Sequence, residues 1–175
     1  MTRGAQLAVV LAIAAFATSA CAGPTRATFP PLGSTPGPVG DAAAATTGQV
    51  IGALGAAGLQ ATVSNRPFRP PEGPLLAATP RTVVEVPLPD DPEPGWIVVY
   101  AAGSEDQAAR AAKDQATYVG SNPGFIFPRG TRVVLRVVGS TVVWFSWLPE
   151  ASPDARTATI AQTLAAIGTG IEIPS

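Results

Sequence analysis

The strongest constraint on the fold is a pair of strand-like runs near the carboxyl end, residues 132–138 and 141–148, separated only by Gly139 and Ser140. Both runs are rich in β-branched and aromatic residues, and a two-residue connection containing glycine is typical of a tight β-hairpin. The turn also sets which residues face each other across the two strands. The predicted opposite pairs are Val138 with Thr141, Arg136 with Val143, Val134 with Phe145, and Arg132 with Trp147.

This register divides the hairpin into two chemically different faces. One face is wholly apolar and is predicted to be covered by helices; it comprises Val133, Leu135, Val137, Val142 and Trp144. The other face combines Arg132, Arg136, Phe145 and Trp147 with small apolar residues, a composition typical of a surface that meets a partner. Alternatively, the arginines shield the aromatic rings through cation–π contacts and only cover the sheet. We therefore treat Trp144 as core and the four mixed residues as a candidate interaction face.

The rest of the chain alternates helix and strand patterns. Helices are predicted from Asp41 to Gly58, from Ser104 to Gly120, and from a cap at Ser152 or Asp154 to Gly168. Strands are predicted within residues 59–63, 81–88 and 95–102, with a proline-rich surface loop at 65–80. These patterns favour a single α+β domain at 41–175, with an antiparallel sheet of about four to five strands and helices mainly on one face.

Trp96 and Tyr100 share one side of their predicted strand, and Glu85 lies on the strand before it. With the mixed hairpin residues they could form a polar and aromatic surface that suits a protein, a glycan or a small ligand.

Two absences narrow the chemistry. The chain has no histidine, which excludes the Ser-His-Asp triad, the Cys-His pair and imidazole metal ligands. Its single cysteine, Cys21, excludes an intramolecular disulfide and a thiolate zinc site. A formal net charge of −1 with scattered arginines gives no basic stripe for nucleic acid. No nucleophile or nucleotide-binding motif is present, so we predict a protein that is not an enzyme and that needs no cofactor.

An acidic turn holds Asp90, Asp91 and Glu93 among three prolines. Carboxylates this close could bind calcium, or with Glu85 act as the paired acids of a glycosidase. Their spacing matches no calcium loop, and the prolines shape the turn without a metal, so a solvated acidic turn is the preferred interpretation.

The amino-terminal segment has the three-part pattern of an export signal: a short stretch containing Arg3, an apolar run at residues 7–17, and the small residues Thr18, Ser19 and Ala20. The apolar run is too short to span a bilayer as a helix. Ser19-Ala20-Cys21 resembles the lipobox of bacterial lipoproteins. The resemblance implies cleavage of residues 1–20 and a diacylglycerol on Cys21. Ordinary signal-peptidase cleavage followed by secretion is the alternative.

Residues 21–40 are rich in proline and glycine and are predicted to form a semi-extended tether. We therefore expect a non-catalytic lipoprotein of the bacterial cell envelope, anchored to the membrane through Cys21, which presents a small binding or scaffolding domain with an envelope protein or a glycan as its expected partner. A secreted hydrolase using carboxylates and a carrier of an apolar ligand are the alternative functions.

Overall fold

The computed structural model describes residues 40–121 and 126–174. The predicted signal sequence, Cys21 and nearly all of the tether lie outside these residues. The helices are α1 (Asp41–Ala56), α2 (Pro74–Ala77), α3 (Glu105–Ser121) and α4 (Arg156–Ala165). The strands are β1 (Thr62–Val63), β2 (Arg81–Val86), β3 (Gly95–Ala101), β4 (Arg132–Val138), β5 (Thr141–Trp147) and β6 (Thr169–Gly170).

The strands form one antiparallel sheet in the order β1-β2-β3-β5-β4-β6, which confirms the α+β class. It has six strands rather than four or five. The additional strand, β6, has only two residues, one of them Gly170, so it shows no alternation that could predict it. The four longer strands lie in the centre of the sheet, and both edges are short.

The predicted register of the final hairpin is confirmed at every pair, from Val138 opposite Thr141 to Arg132 opposite Trp147. Gly139 has a φ of +54°, a conformation that glycine adopts more readily than other residues. Trp144 is 1% exposed, as predicted, while Trp147 three residues later is only partly buried. The two indoles leave the strand on opposite faces. Trp147 is less buried because it is the last residue of β5 and lies at the end of the sheet, whereas Phe145 on the same face is 1% exposed.

Helices cover both faces of the sheet, which corrects the prediction that they lie mainly on one. Helix α3, with α2, packs on the face of Val98, Leu135 and Trp144. Helices α1 and α4 pack on the other face, where Ile97, Val143 and Phe145 are buried. The domain therefore has three layers, and the mixed face of the hairpin is largely interior.

Helix α3 has the capping and the buried face that its sequence predicts. The Ser104 hydroxyl accepts a hydrogen bond from the Gln107 backbone N–H at 3.2 Å, as an N-cap residue should. Small residues let the helix lie close to the sheet; the buried alanines are Ala108, Ala111, Ala112 and Ala116. Gln115 is also buried, at 1% exposed, because it makes specific contacts with the proline-rich loop.

The loop at 65–80 is attached to the domain by buried polar groups. Gln115 accepts a hydrogen bond from the Gly73 N–H at 2.7 Å and donates one to the Pro71 carbonyl at 2.9 Å. The Tyr100 hydroxyl donates to the Glu72 carboxylate at 2.7 Å. Burial, together with that carboxylate, raises the pKa of Tyr100 far above its ordinary value, so the phenol stays protonated as a donor.

Glu72 is almost fully buried but is not left without counterions. Its side chain is 2% exposed and pairs with Arg69 and with Arg81, whose Nη1 lies 3.7 Å from a Glu72 oxygen. A buried carboxylate with two cationic partners and a hydroxyl donor is fully satisfied. The network therefore holds the loop against the sheet.

Within the part of the chain that the structure describes, no helix is both long enough and apolar enough to span a membrane.

Candidate ligand pocket at one end of the sheet

The four residues of the candidate interaction face do not form one open surface. Phe145 is 1% exposed and belongs to the core between the sheet and the helices α1 and α4. Arg132 is exposed, whereas Arg136 and Trp147 are partly buried. The face is interior at its centre because two helices cover it, and its polar residues reach solvent only near its margins. The four residues therefore do not form a single interaction surface, which corrects that interpretation of the sequence.

Arg136 makes contacts within the fold. Its Nε donates to the Ile167 carbonyl and an Nη to the Gly168 carbonyl, each at 2.7 Å. Both carbonyls follow the carboxyl end of α4, where a cation is favourable because the helix leaves carbonyl groups without intrahelical donors. Arg136 is therefore a structural residue that connects α4 to β4.

Trp147 and Phe145 contribute to a pocket at the end of the sheet where β2 and β5 end and β3 begins. Their rings are stacked, with centroids 5.2 Å apart and an interplanar angle of 17°. The pocket has a volume of about 290 Å³. Its lining contains four aromatic rings, two prolines and two carboxylates; it includes Phe68, Leu88, Asp91, Pro92, Glu93, Pro94, Gly95, Trp96, Phe145, Ser146, Trp147, Ala151, Ser152 and Thr157.

Gly95 leaves room for a side chain of α4 at the wall of this pocket. A Cβ at this position would lie 2.8 Å from the Ile160 Cδ1 of α4, closer than real contacts allow. The absence of a side chain at the first position of β3 leaves room for the end of the Ile160 side chain next to the pocket.

The second tryptophan of the pocket, Trp96, comes from the opposite face of the sheet. It is stacked on Phe68 with centroids 5.1 Å apart and an interplanar angle of 10°. Glu85 is its cross-strand neighbour, as the sequence suggested, but Tyr100 is fully buried beside α3. Trp96 and Trp147 therefore do not belong to one sheet face, and they line one pocket only because both lie at the end of the sheet.

The acidic turn forms another wall through a reciprocal contact with the start of α4. The Asp154 backbone N–H donates to Asp91 Oδ1 at 2.8 Å, and the Asp90 N–H donates to Asp154 Oδ2 at 3.3 Å. Asp154 also accepts from the Arg156 N–H at 2.9 Å, which makes it the capping residue that the sequence allowed. The hydrogen bond from Arg156 lowers the pKa of Asp154, outweighing the effect of desolvation. The hydrogen bonds of Asp154 therefore connect the acidic turn to the start of α4.

Among the described residues, no group of three or more acidic or cysteine side chains is placed to hold a metal ion. Asp91 uses its carboxylate on the Asp154 N–H and, at 3.3 Å, on the Thr157 hydroxyl. The acidic turn is thus shaped by contacts within the protein.

A larger pocket of about 390 Å³ lies beside the carboxyl end of α3, between Phe127, Val133 and Ile173. Among the described residues that line it, the one aromatic ring is Phe127, which is stacked on the buried Trp144 with centroids 6.0 Å apart. We prefer the sheet-end pocket because it combines several partly exposed rings with carboxylates, which is the composition expected of a ligand site.

The sequence pointed to Trp147 and Trp96 but not to Phe68, Arg66 or Glu93 as their neighbours. Phe68 and Arg66 belong to the proline-rich loop, whose path depends on long-range contacts to Gln115 and Tyr100. No local pattern could have indicated that path.

Comparison of the chain with protein-family models, with curated proteins and with solved structures found no match. The case for a function therefore depends on the residues of the pocket and on the amino-terminal segment.

Proposed function

We propose that this protein is a non-catalytic lipoprotein of the bacterial cell envelope, and that its domain binds a ligand in the sheet-end pocket. The amino-terminal segment supports the proposed location in the cell envelope, because a short apolar run ends in Ser19-Ala20-Cys21 and is followed by a proline-rich tether. A lipid on Cys21 would hold the domain at the membrane surface, where the pocket could reach envelope components.

The observation that carries the binding function is the set of three aromatic rings left partly exposed around one pocket. Phe68, Trp96 and Trp147 each retain some solvent contact, although the domain buries its other tryptophan, Trp144, almost completely. Aromatic residues are common in binding sites because they supply a large contact area at a small cost in conformational entropy.

The Asp91 carboxylate of the pocket is committed to hydrogen bonds within the protein, which supports binding rather than hydrolysis. Asp91 accepts hydrogen bonds from Asp154 and Thr157, and Glu93 lies beside Arg66. A carboxylate hydrolase requires one acid that donates a proton and a second that acts as base or nucleophile.

The binding function can be tested by photocrosslinking in cells that naturally produce the protein. A benzophenone amino acid at Ser152, which lines the pocket, should capture a specific ligand that mass spectrometry can identify. The matched control is the same group at Thr117, an exposed position on α3. Capture at residue 152 should disappear when Trp147 is also replaced by Ala. Two results would contradict a ligand site in this pocket. One is equal capture at residues 152 and 117, and the other is capture at residue 152 that persists when Trp147 is replaced by Ala.

For the anchor, we expect Cys21→Ser to move the protein from the membrane fraction into a soluble fraction. A diacylglycerol supplies two acyl chains, which is sufficient for stable membrane attachment, and serine lacks the thiol that receives it. Fractionation with immunodetection measures the change, and intact mass of the wild-type protein identifies the lipid. A mature wild-type chain without lipid on Cys21 would contradict the anchor and favour secretion.

A further inference from the structure

Arg66 already occupies one corner of the pocket region. Its Cζ atom lies 4.8 Å from the centroid of the Trp96 ring, and an Nη lies 3.7 Å from a carboxylate oxygen of Glu93. Both Trp96 and Glu93 line the sheet-end pocket, and Arg66 contacts both of them without being part of that lining. A cation above an indole beside a carboxylate is a recurrent way of recognising a guanidinium or an ammonium group.

We propose that the corner formed by Trp96 and Glu93 recognises an arginine side chain of a partner polypeptide, and that Arg66 is an internal occupant that the partner displaces. The inference rests on the proposed binding function and names the chemistry of its ligand.

The charge of the pocket supports a cationic ligand. Its lining, as far as the described residues define it, contains the carboxylates of Asp91 and Glu93 and no lysine or arginine. A third acidic residue, Glu85, lies on the neighbouring strand β2, directly opposite Trp96. Arg66 supplies a single positive charge to this group, so the corner remains net negative. An incoming guanidinium is therefore attracted, and an anionic ligand is repelled.

The backbone of Arg66 is fixed by a hydrogen bond, whereas its side chain is free enough to move away from Trp96 and Glu93. Its backbone N–H donates to the Ser64 hydroxyl at 3.1 Å, and that hydroxyl donates to Glu85 at 2.9 Å. The contact of the side chain with Glu93 is weak by comparison, since the two side chains are 59% and 66% exposed. Exposed ion pairs contribute little to stability because solvent competes for both charges. The guanidinium can therefore swing away while the loop stays in place.

An internal occupant reduces the apparent affinity for an external one. The dissociation constant rises in inverse proportion to the fraction of molecules in which the corner is open. Removal of Arg66 should therefore tighten binding, an effect opposite to that expected if Arg66 itself contacted the ligand.

The test is a titration of the detergent-solubilised full-length protein, followed by the NMR signal of the Trp96 indole. The probes are a capped Gly-Gly-Arg-Gly-Gly peptide, its citrulline analogue, which has the same shape without the charge, and its lysine analogue. We expect the arginine peptide to shift the Trp96 signal and the citrulline peptide to leave it unchanged. Arg66→Gln should tighten binding of the arginine peptide by about 3- to 10-fold, and Glu93→Gln should weaken it by a similar factor.

Arg110→Gln, on the exposed surface of α3, is the matched control and should change nothing. Equal binding of the arginine and citrulline peptides, binding of the lysine peptide alone, or weaker binding by Arg66→Gln would each overturn the inference. If these results occur while crosslinking at residue 152 still captures a ligand, the pocket is a binding site for another chemistry. If crosslinking captures nothing and the peptides do not bind, both the inference and the binding function are wrong.

Discussion

Replacing Trp144 by Ala is expected to lower the free energy of unfolding by about 3 to 5 kcal/mol. The indole is 1% exposed and packs with Leu135, Val142 and the alanine-rich face of α3, so its removal leaves a large cavity. A loss of this size is a large part of the roughly 5 to 15 kcal/mol that stabilises a typical domain. Urea denaturation followed by circular dichroism measures the change.

Two variants show whether the loss comes from burial at this position. Trp147→Ala should cost less, about 1 to 2 kcal/mol, because Trp147 is only partly buried although its ring is stacked on Phe145. Trp144→Phe should also be milder, since it keeps a ring and removes an indole N–H that has no hydrogen-bond partner among the described residues. In single-tryptophan variants, acrylamide should quench Trp147 more than Trp144. Equal quenching would contradict the assigned faces.

Arg136→Glu is expected to destabilise the domain by about 2 to 4 kcal/mol. The substitution removes two hydrogen bonds of 2.7 Å from a charged group, and such bonds contribute about 1.5 to 3 kcal/mol each when measured singly. It also places a carboxylate against the Ile167 and Gly168 carbonyls, where the helix end already carries partial negative charge. Thermal and urea unfolding both measure the effect.

The matched control is Arg132→Glu, on the same strand and the same face. Arg132 is exposed, and an exposed substitution of this kind usually changes stability by at most about 0.5 kcal/mol. Similar stability for the two variants would show that the carbonyl contacts of Arg136 contribute nothing. If Arg136→Glu stays stable and loses only ligand capture, Arg136 is an interaction residue after all.

The outcome for Arg136 bears on how the mixed hairpin face is understood. Arginine and tryptophan are frequent in interfaces, but they also cover the margins of a buried sheet. In this domain Arg136 does not make the cation–π contact considered for it but donates hydrogen bonds to the Ile167 and Gly168 carbonyls that follow α4. The cation–π contact that the described residues do contain joins Arg66 to Trp96.

The sequence by itself determined the longer helices and strands and the register of the final hairpin. Alternation with a period of two places Trp144 and Trp147 on opposite faces once the position of the Gly139-Ser140 turn is known. Capping by Ser104 was equally readable, and Asp154 was one of the two caps that the pattern allowed for α4, because a cap involves residues only two or three positions apart. These features depend on short-range geometry, which a pattern of residue types contains.

Only the tertiary structure decided which sheet face each helix covers and which side chains meet in the pocket. The apolar faces of α1, α3 and α4 could each pack on either side of a sheet, because hydrophobic burial is not directional. The pocket joins Trp96, Trp147 and Phe68 from two strands and a loop, and the loop is positioned by Gln115 and Tyr100, far away in the sequence. Contacts of this kind depend on the summed packing of the whole domain and leave no periodic signal in the chain.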